Sequence, residues 1–279
     1  MLRRFSRLQR SQVHTLWPFS IPSTQVRRAS ESSSGTRPQV LQTGRAVTSV
    51  ICPVSTRCAP KLSPPADNFG AMANRLIEPS TTRLVLRQWR DADRMPFASL
   101  NADPSVMEHF SALLTREQSD ALVDRCIERI KCDGYGLWAV EVRASGEFIG
   151  FVGLAVPTWE AAFTPCTEIG WRLARSAWGH SYATEAANVV LATAFGTLGL
   201  ATLVSFTTTC NLRSQQVMQR IGMRHHPSED FDHPRVAEGP LRRHVLYRIS
   251  RADWERRRQI GSSSMRPTGL PSGSWTNAM

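Results

Sequence analysis

Residues Arg175 to Glu185 read Arg-Ser-Ala-Trp-Gly-His-Ser-Tyr-Ala-Thr-Glu, a short polar loop of small residues that leads into an apolar run. A helix starting at Tyr182 would present unpaired N–H groups and the positive end of its dipole there, a device for holding an anion such as phosphate. The small residues Gly179, Ser181 and Ala183 let the backbone approach that anion closely. No Lys-Ser or Lys-Thr pair follows the glycine, and the spacing is not Gly-x-Gly-x-x-Gly. The loop is therefore neither an ATP-type P-loop nor a dinucleotide fingerprint. By itself the pattern also suits an ordinary strand-to-helix connection, and His180 within it is either a cation for the phosphate or a solvent-facing residue.

Other residues with chemical potential are less organised. His225, His226, His233 and His244 fall at intervals unlike a helical metal pair, so no metal site is expected. The 6 cysteines, Cys52, Cys58, Cys126, Cys132, Cys166 and Cys210, lack C-x-x-C spacing and are expected as buried small hydrophobes in a reducing compartment. Glu229, Asp230 and Asp232 fall in a long loop before the last strand, where they either draw a cationic amine or form a solvated surface. Trp89, Trp138, Trp159 and Trp171 are expected in the core or at its rim.

The elements that would position these groups follow from apolar spacing. Leu84 and Leu86 alternate with arginines in a first strand that ends at Asp91 and Asp93, and a helix follows to Leu100. Thr115 and Gln118 make a capping box for a helix with a one-sided stripe through Leu122, Cys126 and Ile130, stopped by Gly134. Leu137 to Val142 and Phe148 to Val156 read as a hairpin, and Cys166 to Leu173 as a further strand. A helix runs from Tyr182 to Leu198, a strand from Leu203 to Thr207, a short helix from Asn211 to Ile221 and a last strand from Arg243 to Ile249. Hairpins mixed with crossover helices predict an α+β domain on one mixed, mostly antiparallel sheet flanked by helices.

Composition bounds the rest. The chain has 279 residues, 41% of them hydrophobic, which is enough to bury a core. Its net charge of +11 is unevenly placed: residues 1–72 carry 10 basic and 2 acidic residues, residues 251–279 carry 5 and 2, and 19 of each sign remain between. A nucleic-acid groove needs its cations on the folded surface, so no nucleic-acid partner is expected. Apolar runs such as Val189 to Ala194 fall far short of the roughly 18 residues of a membrane span. Residues 1–71, rich in Ser, Pro and Arg, read as a disordered basic extension, either an organelle transit segment or sequence upstream of a true start at Met72. Residues 256–279 read as a second disordered tail. The domain is expected over 75–255, in the cytoplasm or, with a genuine transit segment, the mitochondrial matrix.

Four pieces in register carry a resemblance: Thr82 to Arg87, Glu168-Ile169-Gly170-Trp171-Arg172-Leu173, the loop from Trp178 to Ala186, and Asn211-Leu212-Arg213-Ser214 running to Ile221-Gly222-Met223. Together they resemble the GNAT superfamily of N-acetyltransferases, within it the RimJ and RimL branch of ribosomal-protein N-terminal acetyltransferases. The resemblance implies acetyl-CoA as co-substrate and no metal. The main chain of Trp171, Arg172 and Leu173 would pair with the pantetheine arm. The amides of Trp178, Gly179, His180, Ser181, Tyr182, Ala183 and Thr184 would hold the pyrophosphate, and Asn211 and Ser214 would approach the thioester. Ser181 stands where relatives often have a second glycine, and Met218 where many carry a tyrosine acid.

Transfer to an amine needs a base, because an ammonium has no lone pair. Glu168 is the candidate if it is buried; on an alternating strand it could instead face solvent. Ser214 is the candidate to stabilise the departing thiolate, against a plain surface serine. The expected activity is acetylation of a primary amine, on a small molecule or a protein N-terminus, by a monomer or homodimer without a membrane partner. A catalytically silent acyl-CoA sensor is the alternative.

Overall fold

The computed structural model describes residues 76–263. The fold is the expected α+β arrangement. Strands β1 (Leu84–Arg87), β2 (Leu137–Val142), β3 (Phe148–Ala155), β4 (Glu168–Leu173), β5 (Thr202–Thr208), β6 (Arg224–His225), β7 (Phe231–Asp232) and β8 (Arg243–Ser250) form one sheet. Its order is β1-β2-β3-β4-β5-β8-β6, with β7 on β8, and only the β4–β5 pair is parallel. Helices α1 (Arg94–Asn101) and α2 (Arg116–Asp133) pack on β3 and β2; α3 (Tyr182–Ala192) and α4 (Leu212–Arg220) pack on β3, β4 and β5.

Local chemistry sets the element ends. The Thr115 side chain accepts from the Gln118 N–H, Gln118 answers with its own side chain, and Gly134 closes α2 at φ 78°. The helix expected to run unbroken to Leu198 instead changes to a π turn over Thr193–Thr197, where the Thr193 hydroxyl donates to the Val189 carbonyl. Helix α5 (Arg251–Ser263) runs through residues expected as tail. It is polar and largely exposed, so no apolar stripe announces it; a cap from Ser250 Oγ to the Asp253 N–H starts it, and Trp254 packs on Phe195.

Register fixes which side chains share a face. Glu168, Gly170 and Arg172 stand opposite Ala155, Gly153 and Phe151, and Glu168 opposite Val204. Val204, Phe206 and Thr208 stand opposite Arg248, Leu246 and His244. These residues occupy one face, and Ile169, Trp171, Leu173, Leu203, Ser205 and Thr207 occupy the other.

Near β1, Arg87 is 5% exposed and Asp93 2%. Arg87 donates Nη1 and Nη2 to the two Asp93 oxygens at 2.7 and 2.9 Å and Nε to Glu141 at 2.7 Å. Removing one partner would strand a buried charge. Asp93→Ala is expected to lower stability by about 3–5 kcal/mol, measured from urea unfolding midpoints.

Candidate active site

β4 and β5 are registered at one pair, Glu168 with Val204, supported by the Val204 N–H to the Thr167 carbonyl at 3.0 Å. Beyond that pair the ladder stops. Gly170 to Leu173 on one strand and Ser205 to Thr207 on the other line a cavity of about 520 Å³, whose rim is formed by the Ala177–Thr184 loop apart from His180, the start of α4, and Ser105, Val106, His109 and Phe110.

The loop holds a left-handed turn twice, at Gly179 (φ 82°) and at Ser181 (φ 63°), the residue just before α3. Among the described residues no backbone carbonyl accepts from the amides of Gly179 to Thr184, whereas the Trp178 N–H donates to the Arg175 carbonyl. Successive free amides at a helix start form an anion nest. Trp178 lies between the Arg175 and Arg213 guanidiniums, 4.7 and 4.8 Å from its ring, and its Nε1 donates to the Leu173 carbonyl at 3.0 Å. Glu185 in the first helical turn is tied to Thr81 and to Arg83, which also donates to the His180 carbonyl at 3.1 Å. His180 stacks on Tyr182, and Arg83 lies over that ring. Serine bears a left-handed cost that glycine avoids, so Ser181→Gly is expected to unfold at higher denaturant and Ser181→Val to lose about 1–2 kcal/mol in the same titration.

Glu168 does not face solvent. It is 1% exposed, neither carboxylate oxygen has a hydrogen-bond partner, and burial alone pushes its pKa well above the ordinary carboxylate value. It lines the cavity together with His109, Phe110, Phe206 and His244. Asn211 caps α4: its Oδ1 accepts the Ser214 N–H at 3.1 Å and its Nδ2 donates to Thr207 Oγ1 at 2.9 Å. Asn211 thereby fixes the position of Ser214, and both residues line the cavity. Met218 is 1% exposed and packs in the core, and the Tyr247 hydroxyl is engaged with Gln219 and Gln215.

The acidic stretch is spent on neighbours. Glu229 pairs with Arg248, Asp230 with His225 and Asp232 with Arg243. His233 and His244 instead sit in a box of Trp159, Phe206 and Phe231, where burial with His244 and Arg235 nearby drives His233 down to about 3, a neutral imidazole. Cys126 and Cys166 are buried thiols pushed up to about 12, whereas Cys132 and Cys210 are exposed, against expectation. Cys132 ends α2 on its outer side and Cys210 occupies the β5–α4 loop beside His109. Cys52 and Cys58 lie outside the described residues. Among the described residues no group of three His, Cys, Asp or Glu is placed to hold an ion, and no helix is long and apolar enough to cross a membrane.

The family model described as acetyltransferase (GNAT) domain matches residues 83–224, from β1 through α4 to β6. The chain belongs to the GNAT acetyltransferase family. It is 33% identical over 189 residues to an FsC-acetyl coenzyme A-N(2)-transacetylase of Aspergillus fumigatus, covering 63% of this chain and 77% of the relative. Among solved structures it is similar to an acetyltransferase from Agrobacterium tumefaciens, with 26% identity, TM-score 0.51, and coverage of 63% and 95% of the two chains. A spermidine N-acetyltransferase from Vibrio cholerae in complex with CoA and spermine shares the fold at TM-score 0.51 and 16% identity, covering 63% and 99%.

The protein is thus an N-acetyltransferase. In this GNAT domain the opening between β4 and β5 gathers Glu168, Trp171, Arg172, Leu173, Asn211 and Ser214 with Trp178, Gly179, Ser181, Tyr182, Ala183 and Thr184 of the loop, all expected from the sequence; His180, also expected, is not among the lining residues and stacks on Tyr182. His109, Phe110, Phe206 and His244 were not legible as site residues. Phe206 and His244 belong to the face that counting outward from Glu168 and across the ladder would have marked, but His109 and Phe110 come from a segment without periodicity.

Proposed function

We propose that the enzyme transfers the acetyl group of acetyl-CoA to a primary amine by direct attack. One observation carries this reading: a nest of unspent amides and a buried carboxylate with both oxygens free open onto the same cavity. The residues fit the coenzyme. The 179–184 amides would hold its diphosphate, with the Trp178 N–H already given to the Arg175 carbonyl; the exposed backbone edge of Trp171 to Leu173 would take the amide-bearing arm, and Arg175 and Arg213 flank the loop.

On the opposite face Glu168 would accept the proton of the attacking amine; burial raises its pKa above the ordinary carboxylate value and so makes the ionised group a stronger base. The nitrogen bonds to the acyl carbon, the carbon–sulfur bond breaks, and the departing thiolate is stabilised by a hydrogen bond donated by Ser214, directly or through water; the thiolate is protonated from solvent and the proton held by Glu168 is lost to solvent, which restores the carboxylate. Met218 leaves no phenol at the position seven after Asn211. The RimJ-like motif supports a protein N-terminus as acceptor, and the name of the Aspergillus relative, an N(2)-transacetylase, supports acetyl transfer to nitrogen. Thiol release from acetyl-CoA over a panel of small amines and N-terminal peptides tests the reading. Turnover with an amine is expected; tight coenzyme binding without turnover would favour a silent sensor.

A further inference from the structure

Outward from Glu168 on its face of β4 come Gly170, which has no side chain, and Arg172. Arg172 is 4% exposed and its surroundings are unusual. Its Nη1 donates to Asn101 Oδ1 at 2.6 Å, and Asn101 is itself held by donating to Ser119 Oγ at 2.9 Å. The guanidinium lies 4.2 Å from the Phe110 ring centroid and 5.6 Å from that of Phe151. Nε and Nη2 are buried and have no partner, and among the described residues no carboxylate forms an ion pair with Arg172. Arg87, equally buried, shows the contrast: each of its three nitrogens meets a carboxylate.

A guanidinium out of water without an anion is costly. Burial lowers the Arg172 pKa to about 10, which still leaves the group charged at neutral pH. The two unpartnered donors, Nε–H and Nη2–H, form the side-on edge of the fork that matches the two oxygens of a carboxylate. Arg172 and Phe110 line the same cavity as Glu168.

We propose that the acceptor is an amine that also carries a carboxylate, which the Nε–Nη2 edge of Arg172 binds while Glu168 faces the amine. The assignment rests on the acetyl-transfer reading above. Glu168 and Arg172 stand four residues apart, about 13 Å along the strand at the usual rise. Arg172 also leans toward Asn101 in α1, so the acceptor's two ends are separated by several atoms, as in an ω-amino acid.

Matched acceptors test this: ε-aminocaproate, glycine and hexylamine in the thiol-release assay, and their acetylated products titrated calorimetrically into the CoA-loaded enzyme. ε-Aminocaproate is expected to exceed hexylamine in kcat/KM, chiefly through KM, by on the order of 10²-fold, the usual scale for a charge-assisted pair. It should also exceed glycine. N-acetyl-ε-aminocaproate should bind more tightly than N-hexylacetamide by a similar factor. Arg172→Met, of similar shape and apolar, should bring both ratios to within a few-fold of one, and Arg172→Lys, which keeps the charge but not the fork, should leave them intermediate; melting curves report whether each variant folds. Equal binding and turnover of the matched pairs, binding of neither product, or a preference that survives Arg172→Met overturns the proposal. Carboxylate-dependent binding without any thiol release would overturn acetyl transfer and leave the carboxylate site standing.

Discussion

Glu168→Gln lowers kcat by about 10² or more at neutral pH while the affinity for CoA stays that of the parent enzyme. The amide keeps the shape of the side chain and removes its capacity to accept a proton. Because burial raises the Glu168 pKa above its ordinary 4.5, the parent activity climbs as pH rises through that elevated value, where the carboxylate ionises, and the variant lacks this limb. Stability moves the other way. A carboxyl whose folded pKa is raised favours the folded state below 4.5 and loses that contribution as pH rises through the folded value. The melting temperature of Glu168→Gln relative to the parent therefore increases with pH. Steady-state rates and melting curves over the same buffers check both signs; an unchanged kcat removes Glu168 from the chemistry.

Ala183→Asp separates folding from coenzyme binding more sharply. An acid in the first turn of α3 interacts favourably with the helix dipole, about 0.3–1 kcal/mol, so the variant melts at or above the parent temperature. The same carboxylate occupies the nest of amides from Gly179 to Thr184 and repels a diphosphate there, a like-charge cost of several kcal/mol. The expected loss of CoA affinity is about 10²-fold or more, read by calorimetry. Unaltered affinity would place the diphosphate elsewhere.

The legible parts of this molecule are those written locally. Thr115 with Gln118, the stop at Gly134, the alternation around Leu84 and the hairpin pair are short-range instructions, and the structure follows them to within a residue or two. Helix α5 and the π turn were not readable, because one depends on docking a single tryptophan on Phe195 and the other on a hydroxyl bonding back to the chain. The burial of Glu168 and the missing partners of Arg172 are facts of packing: a strand sequence shows that the two share a face but not what covers it. Asn211 shows the converse: it lines the cavity as the sequence leads one to expect, and its side chain also caps α4 through the Ser214 N–H and holds Thr207, two contacts that no local pattern announces.

A sheet joined at its middle by one residue pair has two inner margins, Gly170 to Leu173 and Ser205 to Thr207, whose main-chain groups are met by no further strand among the described residues. On the proposed reading, an amide-spaced arm laid between them would act as a keystone as well as a reactant. Saturating coenzyme should then slow hydrogen exchange on both margins together and raise the melting point by mass action, so that the enzyme is most rigid when charged.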